Sequence, residues 1–336
     1  MKYFVFFSTI LLILYLVEFV KKDNRTFTFM DKDFTTAIKG FSILTVMWAH
    51  AGARLGVGGI QFIAGVGVAL FLICSGYGLE MSYQRNGLKG FWKKRFLKVC
   101  IPFWIVELVG LLITQQFEIK KYLLDAVFIS PATGYGWFMQ YIVICYILFF
   151  SVKMMSEKLR VNEMWILIVA FAVWFIADSC FFADSGMPFL RARQMLSFPL
   201  GVMIAKNREK IERYSTRKRT VILVWGGGIT GILFMAITQL SVVKALPYFV
   251  SNVMALFTVL PLAIAFIAFV GKAKVLLNNK FLLGAGTVSY EIYLVHAFSL
   301  NLVKGSLVRV SVFVAVTAVL ACVLYLGQKK MMGSRV

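Results

Sequence analysis

The sequence predicts an all-α, polytopic integral membrane helix bundle with about eleven transmembrane helices. Three observations carry this. Of the 336 residues, 60% are hydrophobic, and the mean hydropathy is +0.82, whereas soluble domains sit nearer half apolar. The apolar runs recur, many approaching the ~20 residues that cross a hydrocarbon core. No stretch alternates apolar and polar residues with period two, which the other spanning solution, a β-barrel, requires.

The runs lie near 3–20, 36–54, 60–83, 96–115, 137–152, 164–180, 194–206, 220–240, 248–270, 284–303 and 306–327. The first, MKYFVFFSTILLILYLVEFV, has an almost uncharged start and no small-x-small cleavage site. It therefore reads as an uncleaved membrane helix rather than a signal peptide. Alternate loops carry the basic residues: KKDNR, QRNGLKGFWKKR, KMMSEKLR, KNREKIERYSTRKR and GKAKVLLNNK, followed by QKK in the tail. About 27 of the 36 Lys and Arg fall on that side and about 9 on the other. The positive-inside rule makes the first side cytoplasmic. The N-terminus is then outside and the C-terminus cytoplasmic, as an odd number of spans requires. The net charge of +21 is explained by these loops, so a nucleic-acid partner is not expected. The longest outer loop, 116–136, contains a candidate interfacial helix (Ile119, Tyr122, Leu123, Ala126, Val127), ended by Ser130-Pro131 and Gly134. A second outer loop, near 181–193, holds Asp184, Arg191 and Arg193. No internal repeat stands out, which disfavours an inverted-repeat transporter.

Four of the five cysteines lie inside apolar runs, and none is spaced as CxxC. They read as small buried hydrophobes. The two histidines, His50 and His296, lack metal-ligand spacing, so no metal is expected.

The residues that bear chemistry begin with Lys39 and His50. Eleven helical residues make three turns and about 20°, so both side chains share one face, roughly 16 Å apart along the axis. Lys39 falls at the cytoplasmic surface and His50 in the outer half. Ionisable groups at that depth usually face a bundle interior or a cavity. Neutral His can act as a general base near pH 7, or it can simply hydrogen-bond between helices. In the next run Gly65, Gly67, Gly76 and Gly78, with Ser75, make a low-bulk face. Such a face serves close helix packing or a groove for an extended ligand. No nucleophile elbow surrounds Ser75. Lys93, Lys94, Arg95 and Lys98 then crowd the cytoplasmic start of the fourth run, either as anchors or as a phosphate-binding cluster. Glu107 and Glu291 are intramembrane carboxylates, candidates to orient His50 or to pair structurally. His296, with Tyr293 one turn before it, is a candidate for substrate positioning or for an interhelix hydrogen bond. Trp137 and Tyr135 sit where an outer sugar could stack, or as aromatic-belt anchors.

The order Lys-x10-His, then LFLICSGYGL, then FWKKRFLKVCIPFW, resembles the membrane acyltransferase family 3. GYGWFMQYIVICYILF (134–149), FPLGVMIA (198–205) and GAGTVSYEIYLVHAF (284–298) continue the resemblance in order, from about residue 31 to 327. It implies a ten-helix acyltransferase domain over 31–330, with 1–30 as an extra N-terminal helix and basic loop. It also implies transfer of an acyl group, commonly acetyl, from cytoplasmic acyl-CoA to a hydroxyl of an exported or cell-surface polysaccharide or glycoconjugate. Acyl-CoA is then a co-substrate, and no permanently bound cofactor is implied. The family's catalytic His matches His50. Its basic residue eleven positions before that His, often Arg, is here Lys39, which keeps the charge but loses bidentate phosphate geometry. Its basic pair before the proline matches Arg95 and Lys98, with Lys94 beside them. Direct transfer and an acyl-enzyme remain alternatives. So do a homo-oligomer, a proton-coupled transporter or flippase using His50, Glu107 and Glu291, and a silent relative kept for assembly of a polysaccharide machine.

Overall fold

A helix that carries a lysine near one end and an imidazole near the other cannot turn either toward lipid without cost, and the bundle is arranged around such a helix. The structure, a computed structural model, describes residues 27–181 and 191–333. The predicted span 3–20, the KKDNR loop and Asp184 lie outside these residues.

Helix α1 (Lys32–Arg54) is 23 residues long, about 35 Å. The Asp31 carboxylate caps it, accepting from the Phe34 N–H at 2.7 Å and from the Thr28 N–H and hydroxyl at 2.7 Å each. Phe34, Ala37, Ile38, Ile43 and Ala49 are fully buried. Helix α2 (Gln61–Asn86) packs antiparallel on α1. Helix α3 (Phe91–Ile113) contains a π-helical turn at Phe96–Cys100, just before Pro102. Proline lacks an N–H and crowds the carbonyl one turn back, and the wider turn relieves this. The predicted interfacial helix is present as α4 (Ile119–Ala126). It turns Ile119 and Leu123 outward, buries Asp125, and is tied to α3 by the Trp104 indole N–H donating to the Ala126 carbonyl at 2.9 Å.

The remaining elements are α5 (Trp137–Leu159), α6 (Glu163–Phe181), α7 (Ser197–Lys206), α8 (Arg208–Tyr214), α9 (Arg217–Ile237), α10 (Tyr248–Lys272), α11 (Lys280–Thr287), α12 (Ser289–Ser299) and α13 (Leu307–Gly333). Among the described residues no strand forms. Among the described residues, seven helices are long and apolar enough to cross a bilayer, and α11 with α12 makes an eighth only as a pair bent by 76°. The predicted count of about eleven is not confirmed by the described residues. Helix α7 is ten residues long, about 15 Å, half a hydrocarbon core. Helix α1 is long enough, but Lys39 and His50 lower its apolarity. The periphery suits lipid: α9 buries only Gly231 and exposes Val221, Ile222, Trp225, Ile229 and Leu233.

Backbone-to-backbone crossings set the interior. A methyl group on Gly40 would overlap the Leu282 carbonyl oxygen, and one on Gly286 would overlap that of Thr36, so α1 and α11 touch main chain to main chain. Gly76 and Gly201 do the same for α2 and α7, against the Phe198 and Ile73 carbonyls. The low-bulk face expected on α2 does not form as one face. Gly65 and Gly67 lie about 200° apart on a helix. Gly67 packs against α1, Gly76 against α7, and Gly78 meets open space.

At the end of the bundle nearer Lys39, four helices meet in a buried ion cluster. Lys153 (α5) is 2% exposed and pairs with Glu80 (α2) at 2.6 Å and Glu163 (α6) at 2.8 Å. Lys206 (α7) closes the chain on Glu163. The Lys153 ammonium also lies 3.9 Å from the Tyr83 ring centroid. Removing one member leaves an uncompensated buried charge. Lys153→Met is expected to cost about 3–5 kcal/mol, read as a lowered unfolding temperature in detergent. Adding Glu80→Gln to Lys153→Met, which leaves the Lys206–Glu163 pair in place, should restore most of the loss. An unchanged transition in the single variant would show that the cluster holds nothing together.

Candidate functional site

Lys39, Ile43, Val46 and His50 are spaced i, i+4, i+7 and i+11, one stripe along α1. The stripe lines two cavities. The inner one, about 440 Å³, is walled by Lys39, Ile43 and Val46 of α1, by Ser75, Phe71 and Val68 of α2, and by Lys98, Glu291 and Lys329. The outer one, about 880 Å³, is walled by His50, Gln61, Tyr135, Trp137 and Arg193, among others. Val46, Val68, Phe138 and Tyr293 line both, so the cavities abut at this constriction. A third hollow shares Lys39, Gly286, Thr287 and Tyr325 with the inner cavity and adds Lys32, Lys280 and Asp33. A basic mouth, a narrow apolar passage and a wider chamber thus follow one another, with Lys39 near the first and His50 in the last.

The bend between α11 and α12 gives the opposite wall. Tyr290 donates its hydroxyl to the Val99 carbonyl at 2.6 Å, a carbonyl of the π-helical turn. Tyr293 donates to the Tyr135 carbonyl at 2.7 Å and so pins the loop whose ring leans on His50, centroids 4.6 Å apart. One turn on from Tyr293, His296 is fully buried. Its Nε2 lies 3.1 Å from His50 Nδ1, and the two rings are nearly parallel at 10°. Its Nδ1 lies 2.6 Å from the Tyr293 carbonyl oxygen.

These two contacts determine where the protons sit. A carbonyl oxygen only accepts, so His296 Nδ1 carries a hydrogen. In the neutral ring Nε2 is then an acceptor, and His50 Nδ1 must donate to it. His50 Nε2 is left with its lone pair free, in a chamber wide enough for a second molecule. The relay places a base at one defined atom.

The other predicted residues divide. Lys98, Ser75, Glu291 and Tyr293 line the inner cavity, and Trp137 the outer. Lys94 is exposed and lines neither. Arg95 stacks its guanidinium 5.3 Å from the Phe91 ring centroid and 5.5 Å from that of Tyr146, behind the cavity wall. Neither carboxylate reaches His50: Glu107 is buried beside Asp125, and Glu291 faces the inner cavity. Burial holds the Asp125 carboxyl above its ordinary range, with Glu107 beside it. Lys32, Lys280, Lys329 and Tyr290 escaped the sequence reading. The three lysines look like ordinary basic loop and tail residues, and only the close α1–α11 crossing gathers Lys32 and Lys280 beside Lys39. Among the described residues, no group of His, Cys, Asp and Glu could hold a metal ion.

A protein with two histidines makes the relay measurable. With ¹⁵N-histidine labelling, both rings are expected as the tautomer protonated at Nδ1 and bare at Nε2. His296→Phe should release His50 from that tautomer. An unprotonated Nδ1 on His50 in the unmodified protein would contradict the assignment.

Residues 33–327 match the family model described as an acyltransferase domain. No curated protein and no solved structure matches the chain.

Proposed function

The chain belongs to this acyltransferase domain family, and from that premise we propose that it transfers an acyl group, acetyl being the simplest, from cytoplasmic acyl-CoA to a hydroxyl of an exported or cell-surface glycan. The observation that carries the reading is the continuity of the cavities. One helix face runs from a basic mouth to an imidazole through a passage that widens beyond it.

CoA suits this shape: it is polyanionic at one end and bears its thioester on a long thin arm. Lys32, Lys39 and Lys280 surround the phosphates at the mouth, with Lys98 and Lys329 further in. Lysines bind phosphate as point charges. The arm lies between Ile43, Phe71, Val99 and Ile142, and the thioester sits at the Val46–Phe138–Tyr293 constriction. The acceptor hydroxyl approaches from the outer chamber. Its oxygen attacks the thioester carbonyl while His50 Nε2 takes its proton. The C–O bond forms, the C–S bond breaks, and the proton returns to the departing CoA thiolate. Positioned general-base catalysis contributes about 10²–10⁴-fold. His296 acts as a positioning residue. It accepts from His50 Nδ1 and supports the positive charge that develops on His50.

This reading places Lys39 on the cytoplasmic side of a cell membrane and His50 toward the outside, in keeping with the charge asymmetry of the loops. Purified protein given labelled acetyl-CoA and glycan acceptors is expected to release CoA and label a glycan. His50→Ala should lower transfer by about 10²–10⁴-fold. Lys39→Gln should raise the KM for acyl-CoA about tenfold, the loss of one phosphate contact, with kcat little changed. Undiminished transfer by His50→Ala would overturn the mechanism.

A further inference from the structure

Several hydrogen-bond donors on the walls of the inner cavity are already spent on the protein. Thr287 donates its hydroxyl to the Leu283 carbonyl at 2.8 Å, Tyr290 to that of Val99 at 2.6 Å and Tyr293 to that of Tyr135 at 2.7 Å. Gln328, on α13, differs. It is 6% exposed and lines this cavity, yet among the described residues its Nε2 has no hydrogen-bond partner. Buried amide N–H groups nearly always find an acceptor, because leaving one without costs stability. Here the acceptor must come from what enters the cavity. The place of Gln328 along the passage follows from helix pairing. Helices α12 and α13 pack antiparallel, and the Ser299 hydroxyl meets that of Thr317 at 2.7 Å. Eight residues back along α12 and eight forward along α13 share a level. Glu291 is thus level with Tyr325, and Gln328 lies about one turn nearer the mouth. Tyr325 lines both the mouth and the cavity, which agrees. Glu291 is also 6% exposed and lines the same cavity; a carboxyl accepts hydrogen bonds in either protonation state. Gln328 falls just past the stretch matched to the family, so membership does not assign it a role.

Resting on the transferase reading above, we infer that Gln328 binds the donor, its Nε2 donating to an amide carbonyl of the pantetheine arm of acyl-CoA. Between its phosphates and its thioester this arm carries two amides, each with one N–H and one C=O. The lysines at the mouth hold phosphate whatever it is attached to, and they do not read the arm beyond it. Gln328 does, with the Glu291 carboxyl one turn deeper as an acceptor for an amide N–H. A carbonyl that leaves water for a mostly apolar passage needs such a donor. Thioesters whose arm offers an amide at this level are therefore favoured over acyl phosphates and plain alkyl thioesters. The inference narrows the donor to acyl groups carried on pantetheine. Gln328 is a binding residue in it: it holds the arm and takes no part in proton transfer.

The test pairs one change in the protein with one change in the ligand. Full-length wild-type protein and Gln328→Met, in nanodiscs, are titrated with CoA and with two CoA isosteres. Each isostere has one arm amide replaced by an ethylene unit. Methionine matches glutamine in length and has no donor. Wild type is expected to bind CoA about two- to tenfold more tightly than one isostere, the range of a single hydrogen bond, and that isostere identifies the amide. Gln328→Met should lose the same factor on CoA and bind the identified isostere as wild type does. Gln328→Leu, apolar and at home in a membrane helix, keeps the comparison readable if Gln328→Met fails to fold. Equal weakening of all three ligands, which a merely structural role would give, overturns the inference. So does an unchanged affinity of the variant for CoA, or no binding of CoA by wild type. With labelled acetyl-CoA, Gln328→Met is expected to raise KM by the same factor and to leave kcat within about twofold. Amide-selective CoA binding without acyl transfer to any glycan would leave the Gln328 contact standing and reject the transferase reading. Glycan labelling that does not distinguish wild type from Gln328→Met at limiting acetyl-CoA would do the reverse.

Discussion

Everything in this bundle follows from the need to keep one helix away from lipid. Helix α1 carries Lys39 and His50 on the same face, and neither can sit in hydrocarbon without a cavity or a partner. The surrounding elements supply both. Main-chain contact at Gly40 and Gly286 seats α11 against α1, and α2 packs along its length. The stripe from Lys39 to His50 is left lining two cavities. Small residues are what allow this, because packing between helices in lipid depends on close approach more than on apolarity. The apolar helices that meet lipid, α9 most plainly, lie on the outside, α9 held to α10 through the close approach of Gly227 to the Pro261 carbonyl.

Two of the polar clusters inside are held by partners from distant parts of the chain. Lys153 is compensated by Glu80 and Glu163, so three helices become dependent on one ammonium. The cost of burying each charge is large, and only complete pairing offsets it. His50 is handled differently. It faces a second neutral imidazole instead of a carboxylate, and a neutral pair avoids the desolvation penalty that an ion pair at that depth would carry. The arrangement also has a direction. The Tyr293 carbonyl starts a run of hydrogen bonds that ends at a free lone pair on His50 Nε2. A buried neutral pair and a defined tautomer thus come from the same two contacts.

The direct transfer proposed above would need two molecules to meet from opposite sides. The shape of the interior separates their requirements. The mouth and inner cavity are lysine-rich and narrow, suited to phosphates and a thin arm. The outer chamber is wider, lined with amides, aromatic rings and a different set of cations. The constriction of Val46, Val68, Phe138 and Tyr293 divides them, and the stripe on α1 crosses it.

Much of this was legible from the residues alone. The 3.6-residue period places Lys39 and His50 on one face 16 Å apart, and apolar run lengths and loop charges make a helical membrane bundle unavoidable. The interfacial helix at 119–126 could be read from its spacing and its stop at Ser130-Pro131. The same local rules misled in two places. The 194–206 run looks like a span, but its helix, Ser197–Lys206, has ten residues and is half a span long. Four glycines of α2 looked like one low-bulk face, though a separation of two residues turns them to opposite sides. The partner of His50 was beyond reach for another reason. His296 is 246 positions away, on a helix whose 76° bend against α11 aims it. By itself the sequence determined what each residue can bear and how far apart neighbours on one helix lie, since these are properties of side chains and of helical pitch. Which imidazole faces which, which lysines share a mouth and where the chamber narrows were decided only by the packing of helices, because those distances run between segments that no local spacing connects.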